Sequence, residues 1–123
     1  MKRLYKDKLW VEIFDTRSEM GCKAASDVTA YIREALSEKE ELNIIFAAAP
    51  SQNEFLASLL QSDINWTRIR AFHMDEYLGL PSDAPQRFGN FLRKHIFGKA
   101  PFKSVHYFES ESEEPAQVCE QYK

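Results

Sequence analysis

Asp75 and Glu76 stand side by side just past the strand expected at Arg68–His73, in a segment that also holds Met74, Tyr77 and Leu78. Two adjacent carboxylates near a sheet edge can repel each other and lose solvent. Both effects raise the pKa of one member toward that of a useful general base. The same pair could instead cap the turn and form a surface ion pair with Arg68, Arg70 or Arg87, and the residues alone leave the two readings even. A second unusual stretch is Ala47–Asn53, where small residues would let a ligand approach the backbone ahead of a helix amino terminus. Free N–H groups at such a terminus suit a phosphate or a sugar hydroxyl, which makes Ala48, Ala49, Ser51 and Gln52 candidate substrate contacts. Spacing alone favours a plainer role, with Ala47–Ala49 allowing close helix–sheet packing and Ser51 capping.

The remaining polar residues carry less. His73 could move a proton, but a lone histidine at a strand end is more often hydrogen-bonded into the structure, and His95 and His106 are weaker candidates. Arg68 and Arg70 alternate along a strand and Arg87, Arg93 and Lys94 follow, so a local phosphate patch is conceivable, although solvated faces explain most of them. Cys22 and Cys119 are far apart, with no metal-ligand spacing, and read as reduced, partly buried thiols.

Elements must hold these residues in place. Leu9–Phe14 predicts a strand, and Thr16-x-x-Glu19 predicts a capped helix from about Arg17. Its packed face is expected along Met20, Ala24, Val28, Tyr31 or Ile32, and Ala35 or Leu36. Asn43–Ala47 is a short apolar run that suits a strand covered on both faces, hence a parallel sheet. Ser51-x-x-Glu54 predicts a second capped helix from about Gln52, Arg68–His73 a third strand, and Pro85–Phe97 a third helix ended by Gly98. In that third helix Phe88, Phe91, Leu92, His95 and Ile96 should face inward. Ser104–Phe108 predicts a fourth strand, Ser110–Glu114 a polar turn, and Pro115–Lys123 the first turns of a further helix. A crossover helix needs a following strand to pack against, so the sheet is expected to be incomplete. The order predicts a doubly wound α/β fold, one domain over residues 1–123, with the ligand crevice beyond the carboxyl ends of the strands.

Composition sets the outer bounds. At 123 residues, 44% hydrophobic and 28% charged, the chain has the make-up of a globular domain. A net charge of -3 gives no general field to gather nucleic acid or an anionic membrane. Met1–Trp10 carries Lys2, Arg3, Lys6 and Lys8 with no apolar stretch behind them, which predicts neither signal peptide nor membrane span and places the chain in the cytoplasm. An uncovered sheet edge would be the place for an interaction module or a homo-oligomer to associate.

The run Phe72-His-Met-Asp-Glu-Tyr-Leu-Gly-Leu-Pro81, followed by Gln86-Arg-Phe-x-x-Phe91-Leu, resembles the signature of the glucosamine-6-phosphate deaminase/isomerase family. That pattern is phenylalanine, a variable residue, Met-Asp-Glu-Tyr, Gly-Leu-Pro and an aromatic-rich helix, and weaker similarity reaches Val118–Tyr122. The resemblance implies a Rossmann-like three-layer α/β/α fold with a mainly parallel sheet. It implies conversion of an amino-sugar 6-phosphate to a ketose 6-phosphate with release of ammonia, needing no metal or redox cofactor. Asp75 maps onto the family's proton-abstracting base, with Glu76 and Tyr77 supporting the base and the pocket wall. Related 6-phosphogluconolactonases have Asp-Glu-Arg here, so Tyr77 tilts the comparison toward the deaminases. The family's loop after the second strand is of the Thr-Gly-Gly-Thr-Pro kind, where this chain has Ala47-Ala-Ala-Pro-Ser-Gln52. That departure keeps a non-catalytic sugar-phosphate sensor and a lactonase-like hydrolase as alternatives. The family's ring-opening histidine and most of its phosphate ligands fall in a second half, so these residues alone are expected to be inactive.

Overall fold

The computed structural model describes residues 1–108 and 114–123; of the polar turn expected at Ser110–Glu114, all but Glu114 lies outside the described residues. The chain opens with a hairpin that the sequence only half disclosed. Strand β1, Lys2–Lys6, runs antiparallel to β2, Leu9–Ile13, and Asp7 in the connecting turn takes φ 55°, a conformation that aspartate tolerates. Tyr5 lies opposite Trp10 with ring centroids 4.7 Å apart. The hairpin is a sheet of its own, so the strand expected at Leu9–Phe14 does not join the parallel sheet.

Helix α1 spans Arg17–Glu38 and starts as its sequence predicts, Thr16 Oγ1 accepting the Glu19 N–H at 3.1 Å. Its buried stripe is Gly21, Ala25, Thr29, Ile32 and Leu36; Ile32 and Leu36 were among the expected positions, while nearer the start the stripe lies one position round from the expected face, and Met20 and Tyr31 are exposed. Gly21 is the physical reason. A Cβ there would stand 2.8 Å from the backbone of Glu54 and Phe55, so α1 meets α2, Asn53–Leu60, along its smallest residue.

Strands β3, Leu42–Phe46, β4, Ile69–His73, and β5, Ser104–His106, form a parallel sheet in the order β3-β4-β5. Leu42, Ile44, Phe46, Ile69, Ala71 and Val105 share the face that meets the helices, where Leu56, Leu59, Leu92 and Ile96 are essentially sealed from solvent. Phe46, Phe97 and Phe102 meet edge to face at 5.4 to 5.9 Å, and Trp66 joins them through Phe102 at 5.0 Å. Each such pair contributes about 0.5–1.5 kcal/mol beyond the area it buries.

The other face carries Asn43, Ile45, Arg70, Phe72, Ser104 and His106. Here the expected two-sided coverage of Asn43–Ala47 is not found, since Ile45 is 68% exposed. Helix α4, Pro115–Tyr122, begins a layer on this side, its Tyr122 reaching Phe72 and His106. The architecture is therefore the Rossmann-like α/β/α arrangement, with one helical layer built, the second begun, and the sheet incomplete.

Two further boundaries move. Helix α3 covers Phe88–Leu92 and widens into a π-helical turn at Arg93–Phe97 that Gly98 closes, so it starts three residues later than Pro85. Ser51 does not cap α2. It sits inside a 3-10 turn, Pro50–Gln52, with no side-chain cap, and Glu54 instead pairs with Arg17, whose guanidinium also donates to Pro50 O at 2.8 Å. Both cysteines are free and exposed rather than partly buried. Among the described residues no helix is long and apolar enough to cross a membrane.

Candidate active site

The loop that follows β4 leaves the sheet at the carboxyl end, where parallel sheets place their ligands. Beside it lies a cavity of about 570 Å³, walled by the 74–80 loop, by Arg87 and Phe108, and by Val118 and Cys119 of α4. That volume falls within the range of small-molecule sites. Asp75, Glu76 and Tyr77 all line it.

The two carboxylates meet different environments. Glu76 is turned inward, its side chain 8% exposed, and its Oε1 accepts the N–H groups of Tyr77 at 2.9 Å and Phe88 at 2.8 Å. Oε2 accepts the Gly89 N–H at 3.0 Å and faces Arg87 Nε at 3.5 Å. Phe88 and Gly89 open α3, so Glu76 caps that helix from twelve residues away and explains why it begins where it does. Burial alone would raise the Glu76 pKa, but the N–H groups of Gly89, Tyr77 and Phe88 and the Arg87 charge outweigh it and hold the group below its ordinary value. The sequence expectation that one of the pair would be pushed up toward a general base therefore does not describe Glu76. Gly89 sits in a tight place. A Cβ there would lie 3.1 Å from the Tyr107 ring and 3.4 Å from both Glu76 Oε2 and His73 Nε2.

Asp75 faces outward with its side chain on the cavity wall. Its backbone carbonyl is 2.9 Å from His73 Nδ1. Tyr77 is half-exposed and stacks on Phe88 at 4.6 Å, fixing one side of the cavity mouth.

His73 is 1% exposed and ties four segments together. Its Nε2 accepts the Phe108 N–H at 3.1 Å, and its backbone N–H donates to Tyr122 Oη at 2.7 Å. Tyr122 Oη in turn lies 2.9 Å from His73 O and 3.0 Å from His106 O, clamping the ends of β4 and β5. Burial lowers the His73 pKa, against the raising influence of the Asp75 carbonyl and nearby carboxylates, and burial raises that of Tyr122.

The loop after β3 lies alongside, since Phe46 pairs with His73 and Phe46 O accepts the Met74 N–H at 3.1 Å. Even so, Ala48, Ala49, Ser51 and Gln52 do not line the Asp75 cavity among the described residues. The N–H groups of Gln52 and Asn53 turn inward to Ala49 O and Pro50 O. The arginines disperse as well. Arg68 caps the carboxyl end of α1 through Leu36 O, Lys39 O and Glu40 O, Arg70 pairs with Glu41, and Arg93 stacks over the Tyr107 ring at 4.5 Å. Arg87 alone of these reaches the cavity, buried between Glu76, Leu80 O and Phe108 O. Sequence reading treated it as one member of a patch; its place in the Gln86-Arg-Phe run was the available signal. The contribution of α4 to the wall, and of Tyr122 behind it, was not anticipated as part of the site.

A parallel α/β sheet with a carboxylate on the loop beyond a central strand, beside a cavity of small-molecule size, defines the class of α/β proteins that handle small ligands at a strand-end crevice. Residues 15–123 match the family model for glucosamine-6-phosphate isomerases/6-phosphogluconolactonase, and the chain belongs to that family. A glucosamine-6-phosphate deaminase of Lactobacillus helveticus is 35% identical over 65 residues, which are 53% of this chain and 27% of that relative. The solved structure of a 6-phosphogluconolactonase from Shewanella baltica superposes with a TM-score of 0.78 at 15% identity, covering 89% of this chain and 47% of that one. A monomeric glucosamine-6-phosphate deaminase does so with a TM-score of 0.72 at 19% identity, covering 89% and 46%. The chain thus spans about a quarter of that curated relative and about half of those solved structures.

Proposed function

We propose that the protein containing this chain is a glucosamine-6-phosphate deaminase/isomerase, with Asp75 as the base. The single observation that carries the reading is the placement of Asp75 on the wall of the cavity, beyond the carboxyl end of β4. In an opened amino-sugar phosphate, a carboxylate there takes the proton from the amine-bearing carbon next to the aldehyde. It then returns a proton to the adjacent carbon. The resulting imine adds water and releases ammonia, leaving a ketose phosphate. Glu76 acts on this reading by holding the loop on α3, and Tyr77 by shaping the wall. The Ala49–Asn53 turn follows β3 at the same carboxyl end of the sheet, but its inward-turned N–H groups give it no part in holding the substrate on this reading. The deaminase relative and the Met-Asp-Glu-Tyr run support this choice over lactone hydrolysis.

The test is a paired assay of the complete protein with glucosamine 6-phosphate and with 6-phosphogluconolactone. Turnover of the amino sugar alone, with solvent deuterium appearing at carbon 1 of the ketose, is the expected result; turnover of the lactone alone would replace the reading. A sugar-phosphate sensor is the second reading, favoured by the inward-turned N–H groups of the Ala-rich turn. It predicts binding with no turnover of either compound.

A further inference from the structure

We propose that His73 is a positioning residue, a fixed neutral imidazole whose Nδ1–H holds the Asp75 carbonyl while its Nε2 accepts the Phe108 N–H. The inference rests on the reading of Asp75 as the base, and it adds how that base is aimed.

A neutral imidazole has one donor and one acceptor nitrogen. The backbone N–H of Phe108 can only donate, so Nε2, 3.1 Å away, carries no proton. The ring proton is then on Nδ1, 2.9 Å from the Asp75 carbonyl, which can only accept. Both partners are main-chain groups of fixed polarity, so the tautomer is set by the fold. The ring has no room to turn over. Phe108 stands edge-on at 4.9 Å, Tyr122 and Tyr107 lie at 5.8 and 5.9 Å, and Gly89 closes the fourth side. The Asp75 carboxylate itself is bonded to no other group among the described residues, so its direction follows from its backbone. That backbone is held from one side by His73 and from the next residue by Glu76.

Misplacing a reacting group by about 1 Å can cost about a hundredfold in rate. The charged groups facing the ring are Asp75, Glu76 and Arg87, with Tyr107 and Tyr122 completing its surroundings. A second ring proton would set an Nε2–H against the Phe108 N–H, so the fold holds the ring in its singly protonated form.

Two neutral variants of the complete protein separate the roles. In His73→Asn the amide nitrogen takes the place of Nδ1 and keeps the donation to Asp75; in His73→Gln the amide oxygen takes the place of Nε2 and that donation is lost. The expected result is kcat within about threefold of the parent for the Asn variant and lower by about 10- to 100-fold for the Gln variant, with KM within about twofold in both. The parent should also show the Nδ1-protonated pattern in nitrogen NMR of the imidazole. Equal losses in the two variants, or an Nε2-protonated ring, would overturn the proposal. If Asp75→Asn leaves turnover intact, the base reading fails separately. The ring tautomer and the Asp75 carbonyl shift in the two variants then decide the positioning role by themselves, an unmoved carbonyl in the Gln variant counting against it.

Discussion

Asp75 and Glu76 are neighbours with similar chemistry, and what separates them is the number of donors each one meets. Three backbone N–H groups and a buried guanidinium converge on Glu76. Replacing it by alanine strands Arg87 and the first two N–H groups of α3, which should cost about 3 kcal/mol in denaturant unfolding. Glu76→Gln, which keeps one acceptor oxygen, should lose less. Two depressed groups at the site, His73 and Glu76, contribute to the pH dependence of folding. His73 is favoured neutral in the fold, below its ordinary 6.5, so its contribution is complete above that value and is lost as pH falls through the folded value. Glu76 is favoured ionised, so its contribution holds above its ordinary 4.5 and is lost as pH falls through a lower value. Unfolding free energy measured against pH should therefore begin to fall below about pH 6.5 and fall further below about 4.5. In His73→Asn the upper step should shrink to what His95 contributes, since burial and the Lys94 charge lower that ring as well, and an undiminished step would assign it to another group. At this scale the Met-Asp-Glu-Tyr run was legible from its residue types. The His73–Tyr122 clamp was not, because its partners are 49 positions apart and no local pattern links them.

The start of α1 has a local cause and was read correctly, whereas the local pattern at Ser51 failed and elements with tertiary causes were displaced. Thr16 starts α1 because its hydroxyl bonds within its own turn, a cause contained in four residues. By contrast, the buried face of α1 turns on Gly21 against Glu54, and the start of α3 turns on Glu76, neither of which periodicity reports. The hairpin partner β1 escaped because its side chains are exposed on both faces, leaving no apolar alternation to mark it. Two substitutions distinguish these causes. Gly21→Ala forces a carbon to within 2.8 Å of the Glu54 backbone and should destabilise by about 1–3 kcal/mol, as overpacking does. Ser51→Ala removes a hydroxyl that caps nothing and should change stability by less than about 0.5 kcal/mol. A large loss at Ser51 would mean that α2 is capped as its sequence pattern suggested.

Among the described residues, the strands present apolar side chains to solvent. Ile45 lies open on the sheet, and Tyr5, Leu9, Trp10 and Ile13 are exposed on the hairpin. Contiguous apolar surface of this kind marks contact sites in folded proteins. The 123-residue chain by itself should therefore associate as its concentration rises, read by sedimentation velocity; a monomer throughout would show that these residues stay solvated. The order of strands and helices from α1 onward, and the strand end at which Asp75 sits, were available from the sequence because each rests on composition over short runs. One-sided coverage of the sheet was not, since a strand reads as equally apolar whichever layer meets it. The central claim, that Asp75 is the base of an amino-sugar phosphate deaminase, is tested most directly by ammonia and ketose-phosphate release from glucosamine 6-phosphate, comparing the complete protein with its Asp75→Asn variant. The account predicts turnover in the parent and a loss of about a hundredfold or more in kcat in the variant, with folding unchanged; equal turnover in the two would contradict it.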